Sequence, residues 1–356
     1  MDRTRDPRDV VARQVRSLSA TSSSRSDPAH WAPTKMSVPS AFSYCADRVR
    51  TLDYENYLCT LFLPKEHRAA ALALRAFNVE TASALGVTKE PQLALMRLKW
   101  WSDVVDTIHE RTGGETNSEM SDEKASNNAG NNPQVPDHPV AIALHALLGN
   151  GGGSARTKRW LKAVAKARVR DAEMGIENKS PAGMAYLEAY AESTSSSLLY
   201  AQLDIGAIRE TNADHAASHL GKAVGITNLL RGTHHHSKQR RCYLPLDVCV
   251  KHGLAVEDVY RGKSDDSLKN AVHEVASLAK AHLDSARAMA EGLGSVGKQS
   301  GSLKPQCVLL PAIGTATYLE NLEAKDFDVF HPELIRGVPP LVTQGKIAWA
   351  AMRGKY

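Results

Sequence analysis

From Ser43 to the C-terminus, apolar residues return at intervals of three and four, as in Leu58, Leu61 and Phe62, in Leu72, Leu74 and Phe77, and in Leu95, Leu98, Trp101, Val105 and Ile108. That spacing follows the turn of an α-helix and gathers each set on one face, whereas the alternating β-branched runs of strands are nearly missing. Helices with one apolar stripe must bury it against one another. The expected class is therefore all-α, one helical domain from about residue 40 to 356, long enough to bury a core without staples.

Punctuation along the chain supports this reading. Pro64 followed by Lys65 and Glu66 suits a helix start, because proline is tolerated at the first helical position and an acid in the first turn favours the dipole. Gln92 to Glu110 has helical spacing throughout. From about 112 to 139 the composition turns to Gly, Asn, Ser, Asp and Pro, which bury too little apolar surface to order themselves, and a disordered insertion is expected there. Gly149 to Ser154 (GNGGGS) reads as a loop, after which helical patterns resume near Lys158 and continue through Asn270 to Glu291.

Residues 1 to 35 carry Arg3, Arg5, Arg8, Arg13, Arg16 and Arg25 beside a Ser-rich stretch, with Val11, Val15 and Leu18 at helical spacing. This pattern is that of a mitochondrial transit peptide, although Asp2, Asp6 and Asp9 are unusual in one, and a plain disordered tail is the other reading. The formal charge of +5 is small and dispersed, so nucleic acid is not an expected partner. An anionic membrane surface is compatible with it. Five scattered cysteines without a C-x-x-C pair indicate neither a disulfide framework nor a zinc knuckle. No apolar run is long enough for a conventional transmembrane helix.

Four blocks then stand in order: YLCTLFLPKEHRAAALALRAFNVE from Tyr57, RLKWWSDVVDTIHE from Arg97, YLEAYAESTSSSLLYAQLDIGAI from Tyr186, and GITNLLRGTHHHSKQRRCYLPLDVCVKHG from Gly225. Together they resemble the squalene/phytoene synthase family, whose two aspartate-rich helices each carry an Arg followed by an Asp-x-x-x-Asp pair. The strings LRAFNVE, NLLR, DHAASHLGKA, FLPKEHR and KDFDVFHPEL are similar to the branch of that family made up of mitochondrial complex I assembly factors. The resemblance implies an isoprenoid-synthase-like helical bundle. It also implies a role in assembling respiratory complex I, contact with its subunits or assembly intermediates, and a peripheral position on the matrix side of the mitochondrial inner membrane.

Position by position, the resemblance implies no cofactor and no working metal site. After Arg75 the two ligand positions read Asn78 and Ala82, and after Arg231 they read Gly232 and His236. Residues four apart share a helical face, so paired aspartates on two facing helices can hold Mg²⁺, which prefers hard oxygen ligands. None of the four residues is a carboxylate, so a non-catalytic protein is expected. The alternatives are a Mg²⁺-dependent prenyl-diphosphate synthase and a carrier of isoprenoid or lipid in the old cavity. Glu80, Asp103, Asp106 and Glu110 are weighed as replacement ligands and read as ordinary helix-face acids. His215 with His219, and the run His234, His235 and His236, lack the acid of an H-E-x-x-H motif and read as structural rather than metal-binding. The serines of SSSLLY (Ser195 to Tyr200) sit in no nucleophile elbow and read as small residues for close packing. Arg75, Arg231, Arg240 and Arg241 either line an anion- or lipid-binding pocket or pair with helix ends and buried carboxylates.

Overall fold

The computed structural model describes residues 36–87, 90–113, 135–149, 154–291, 293, 303–354 and 356, all in one unit from Met36 to Tyr356. The N-terminal stretch read as a transit peptide and residues 114–134 of the expected insertion lie outside the described residues. The remainder is helical, with no strand among the described residues. The helices are α1 (Val38–Leu52), α2 (Tyr54–Leu61), α3 (Lys65–Val87), α4 (Pro91–Gly113), α5 (Pro139–Gly149), α6 (Ala155–Ile176), α7 (Met184–Ala191) and α8 (Ser197–Ile205). They continue as α9 (Thr211–Arg231), α10 (Thr233–Lys238), α11 (Leu246–Lys251), α12 (Val256–Tyr260), α13 (Asp266–Glu291), α14 (Pro305–Val308), α15 (Ala312–Glu323), α16 (Pro332–Arg336) and α17 (Pro340–Arg353).

Helix starts fall where short polar side chains and prolines allow them. Ser37 caps α1 by accepting from the Ser40 amide, α3 begins directly after Pro64, and Pro91 opens α4. Ser154 caps α6 by accepting from the Arg156 amide, and its hydroxyl donates to the Asp204 carboxylate at 2.7 Å. Thr157 donates to the same oxygen at 2.5 Å. Burial works against charge on Asp204, but the bonds from Thr157 and Ser154 outweigh it and hold the carboxyl below its usual range. One ionised side chain thus ties the end of α8 to the start of α6.

Two apolar cores result. One is built from α1, α3, α4, α5 and α6, with Phe77 edge-on to Trp101 at 5.5 Å. The other gathers α7, α9, α13 and α15 around Leu220, Ile226, Val272 and Leu283. Helix α8 belongs to both, placing Leu198 and Ala201 in the first and Leu199 and Leu203 in the second. A single helix with apolar residues on two faces therefore joins the halves. The far end of the expected insertion departs from the sequence reading. Val135 packs on the first core, and His138 stands edge-on to Trp101 at 4.9 Å and Tyr44 at 6.4 Å, so partners distant in sequence fix it.

Between α7 and α8 the chain makes a π-helical turn, Glu192–Ser196. It is held by Thr194, which donates to the Tyr190 carbonyl at 2.7 Å, and by Glu192, which accepts from Tyr200 at 2.6 Å and Ser218 at 2.9 Å. Helix α9 lies directly on this turn. A Cβ added at Gly221 would stand 2.2 Å from Ser196 Oγ and 2.3 Å from its Cα, and one at Gly225 would stand 2.4 Å from Ala191 Cβ. The serines of this segment serve close packing, and Ser196 also donates to the Ser218 carbonyl at 2.9 Å.

Gly221→Ala should therefore cost about 3 kcal/mol, because the obstructing atoms are backbone and cannot rotate away. Gly345→Ala, on α17 with nothing within 4 Å of the added carbon, should be neutral or stabilising. Thermal unfolding of the two variants beside the parent chain measures the difference, and equal melting temperatures would refute the close contact.

Candidate functional site

Helix α3 carries Arg75, Asn78 and Ala82 on consecutive turns, and the α9–α10 junction carries Arg231, Gly232 and His236. Between these two segments lie α6 and α7. Helix α6 turns its apolar face inward through Leu161, Val164, Ala165 and Ala172, and the same face brings in two charged residues, Arg168 and Asp171. Neither stands out in the family motifs. The signal available in the sequence is the placement of two charges within the three-and-four rhythm of α6.

Arg168 reaches the first ligand position. Its Nη2 donates to Asn78 Oδ1 at 3.4 Å, its Nη1 donates to the Tyr190 hydroxyl, and its guanidinium carbon sits 5.4 Å from the centre of that ring. Nε of Arg168 is buried without a hydrogen-bond partner. The same cation is felt at the second ligand pair, where it is one of the charges that depress the His236 imidazole. Arg168 is therefore bonded to Asn78 of the first frame, and its charge also acts on His236 of the second. Ala82, the remaining position of the first frame, is exposed.

The two positions of the second frame fill each other's space. A Cβ at Gly232 would lie 2.5 Å from His236 Cε1, so the imidazole occupies the volume a side chain at 232 would need. His236 stands edge-on to Tyr243, with ring centres 4.7 Å apart, and its Nδ1 is buried without a partner. Burial, then Arg241, His235 and Arg168, push its pKa down to about 4. At neutral pH it is an uncharged ring.

Asp171 holds the other end of this arrangement. Its Oδ1 accepts from Arg241 Nη2 at 2.9 Å, and the Tyr243 hydroxyl lies 2.9 and 3.0 Å from its two oxygens. Arg241 also donates to the Asp171 carbonyl at 3.0 Å. The Arg-x-Tyr-Leu-Pro end of the second motif thus clamps α6 through a buried carboxylate. Burial and the neighbouring Asp171 carboxylate drive the Tyr243 hydroxyl far above its ordinary range, so it stays protonated and donates.

The four arginines of the sequence reading go to different places. Arg241 pairs with Asp171 as described. Arg231 pairs with Glu55 at 3.0 Å and lies 5.0 Å from the Tyr318 ring centre, and Arg240, on an exposed left-handed turn, pairs with Glu257 at 2.8 Å. Arg75 is buried on α3 with its Nε unpartnered. Its charge partly offsets the burial that raises the nearby Asp53 carboxyl.

Of the acids considered as replacement ligands, Glu80 and Asp106 are engaged. Glu80 is buried and takes Arg48 at 3.0 Å, Arg97 at 2.8 Å and the Tyr44 hydroxyl at 3.4 Å, so it is an internal counter-ion rather than a helix-face acid. Asp106 pairs with Lys158 at 3.3 Å and Lys162 at 2.7 Å. Asp103 is exposed at a groove between α4 and α6, and the side chain of Glu110 lies outside the described residues. Among the histidines, His219 contacts His282 at 2.9 Å, which meets Glu188 at 3.0 Å, while His235 meets Gln239 at 2.9 Å. His215 is exposed, and His234 stands 6.3 Å from the Phe330 ring centre. No group of three or more metal-ligating side chains converges among the described residues.

Two measurements test this geometry. Asp171→Asn should destabilise the fold by about 3–5 kcal/mol by leaving Arg241 buried without its counter-ion, and Asp171→Asn with Arg241→Met should recover much of that loss. His236 binds its proton less readily folded than unfolded, so it costs stability as pH falls from about 6.5 towards about 4. His236→Gln should therefore lose about 2 kcal/mol less than the parent chain between pH 7 and pH 5 in urea unfolding. Parallel pH profiles would refute the buried neutral imidazole.

The family model for squalene/phytoene synthase matches residues 49–340. A Bos taurus protein named NADH dehydrogenase (ubiquinone) complex I, assembly factor 6 is 36% identical over 334 residues, covering 94% of this chain and 88% of its own. The Drosophila melanogaster homolog of that name is 39% identical over 296 residues, covering 82% and 78%. A solved dehydrosqualene synthase in complex with ligand superposes with a TM-score of 0.68 over 89% of this chain and 97% of its own, and at 17% identity that likeness is one of fold. The chain belongs to the squalene/phytoene synthase family.

Proposed function

We propose that this chain acts in the assembly of mitochondrial respiratory complex I as a non-catalytic member of its family, in contact with a complex I subunit or assembly intermediate. The partner and pathway rest on the relatives that carry the assembly-factor name at 36% and 39% identity. The absence of catalysis rests on one local observation, the Arg168 guanidinium bonded to Asn78 where the family frame calls for a carboxylate.

Charge at the four positions weighs against catalysis. Ionising an allylic diphosphate requires Mg²⁺ to neutralise the leaving group, and Mg²⁺ requires hard oxygen ligands with negative charge. Here the four positions supply an amide, a methyl group, a glycine and an imidazole, and a fixed cation stands beside them. Two like charges about 4 Å apart repel by several kcal/mol at the dielectric of a partly buried site. These residues do not fit a magnesium cluster. Asp171 offers no substitute, because Arg241 and Tyr243 already occupy its oxygens.

The body that remains is a rigid helical scaffold. No helix among the described residues is long and apolar enough to cross a membrane, and the proposed position is peripheral, on the matrix side of the inner membrane. Deletion of the gene should selectively deplete complex I on native gels and leave the other respiratory complexes intact, with recovery on re-expression. Incubating the purified protein with Mg²⁺ and a C15 or C20 allylic diphosphate should release no pyrophosphate above background. An intact complex I with an isoprenoid defect would overturn the proposal.

A further inference from the structure

Helix α17 packs the wrong way round for a helix of a water-soluble body. Its inward face is Thr343, Ile347 and Ala350, with Gln344 donating to the Tyr54 hydroxyl at 2.6 Å, and it rests on α2 and α15. Its largest apolar side chains point outward: Leu341 is 80% exposed, Met352 74%, Trp349 56% and Val342 47%. At 100° per residue these four fall within an arc of about 100°, and Leu341 and Met352 are about 16 Å apart along the axis. The result is a continuous apolar stripe.

The charges beside the stripe have one sign. From Pro340 to Arg353 the helix contains no acid, and Lys346 and Arg353 follow one another along one edge of the apolar arc. Arg353 lies over the Trp349 ring at 4.3 Å and has no carboxylate partner among the described residues. Lys346 donates to Thr317 at 3.1 Å, with Glu320 only at 3.9 Å. Further exposed apolar residues, Leu61 and Phe62, end α2, the helix on which α17 packs.

We propose that the outward face of α17 is a membrane-docking surface that lies flat in the headgroup region of an anionic bilayer. Leu341, Val342, Trp349 and Met352 enter the acyl boundary while Lys346 and Arg353 meet lipid phosphates. A helix with an apolar face, an aromatic residue on it and a cationic edge is what an anionic interface binds, through apolar burial and surface potential together. The stripe stands proud on a helix instead of lining a cleft, which is poor geometry for a protein segment seeking a groove. The Arg-rich N-terminal residues are a poor cover for it as well, since they bring charge of the same sign as the edge.

This inference deepens the peripheral membrane position proposed above and gives it residues, yet vesicle binding involves no complex I component, so either can fail alone. The full-length protein should co-sediment with vesicles of phosphatidylcholine containing cardiolipin, and far less with phosphatidylcholine alone. Leu341→Ser with Met352→Ser should lower partition to both by about tenfold or more without changing the melting temperature. Lys346→Glu with Arg353→Glu should weaken only the cardiolipin-dependent part, as should raised salt. Failure of the parent protein to bind cardiolipin vesicles would overturn the proposal, as would undiminished binding by the serine variant. Loss of a stoichiometric protein complex by that variant, with vesicle binding intact, would make the stripe a protein interface instead.

Discussion

The contact on which the rest of the molecule depends is the approach of α9 to the π-helical turn at Glu192–Ser196. Backbone meets backbone there, and Gly221 and Gly225 make the approach sterically permissible. Because α9 also carries the broad Ala-rich interface with α13, its position sets the second core. Helix α8, which leaves the same turn, carries that position across to the first core through Leu198 and Ala201. The α9–α10 junction and the α3 face then stand where the family places its two motifs. The fold shared with a dehydrosqualene synthase is thus set largely by helix packing away from Asn78 and Ala82.

Charge within the two motif segments bears on the proposed absence of catalysis. A diphosphate site built on paired carboxylates is stable only when cations fill it, since the acids otherwise repel one another. Asn78, Ala82, Gly232 and His236 bring no such repulsion, and Arg168 stands bonded to Asn78 and Tyr190 as a cation of the chain itself. Around it the remaining groups are either neutral at working pH, like His236 and Tyr243, or matched, like Asp171 with Arg241. The charged groups around Arg168 are thus balanced within the chain itself. The proposed scaffolding role needs that property, because a body that presents a surface gains from holding its shape without a ligand.

How much of this was legible in the sequence differs with the range of the interaction. The helices were legible, because the three-and-four rhythm is local, and the starts at Lys65 and Pro91 follow from proline chemistry. The residues at the four motif positions, Asn78, Ala82, Gly232 and His236, were legible directly. The role of Glu80 was not, since its burial depends on Arg48 and Arg97, which arrive from α1 and α4. Arg168 was readable only as a charge on the apolar face of α6, and nothing local says that it will meet Asn78, ninety residues away. The π turn leaves no compositional mark, because one extra residue in a helical repeat does not disturb the apolar pattern visibly. Val135 and His138 read as part of a polar insertion, yet they are held by Trp101 and Tyr44, whose nearness only the fold provides.

Helix α17 marks the limit of pattern reading from the opposite side. By apolar content alone, the face with Leu341, Val342, Trp349 and Met352 is the one to bury, and the face with Thr343 and Ala350 is the one to expose. The fold does the reverse: Ile347 and Ala350 pack with Leu58 and Leu310, and Gln344 donates to the Tyr54 hydroxyl, so the inward face is fixed by these contacts. Exposing four large apolar residues to water costs several kcal/mol relative to burying them, at roughly 1.5–3 kcal/mol for each side chain. Among the described residues Arg353, over the Trp349 ring at 4.3 Å, covers part of that face, and the four side chains stay exposed. The proposed docking to an anionic bilayer would remove that cost, because the apolar stripe would leave water while Lys346 and Arg353 on its edge meet negative charge.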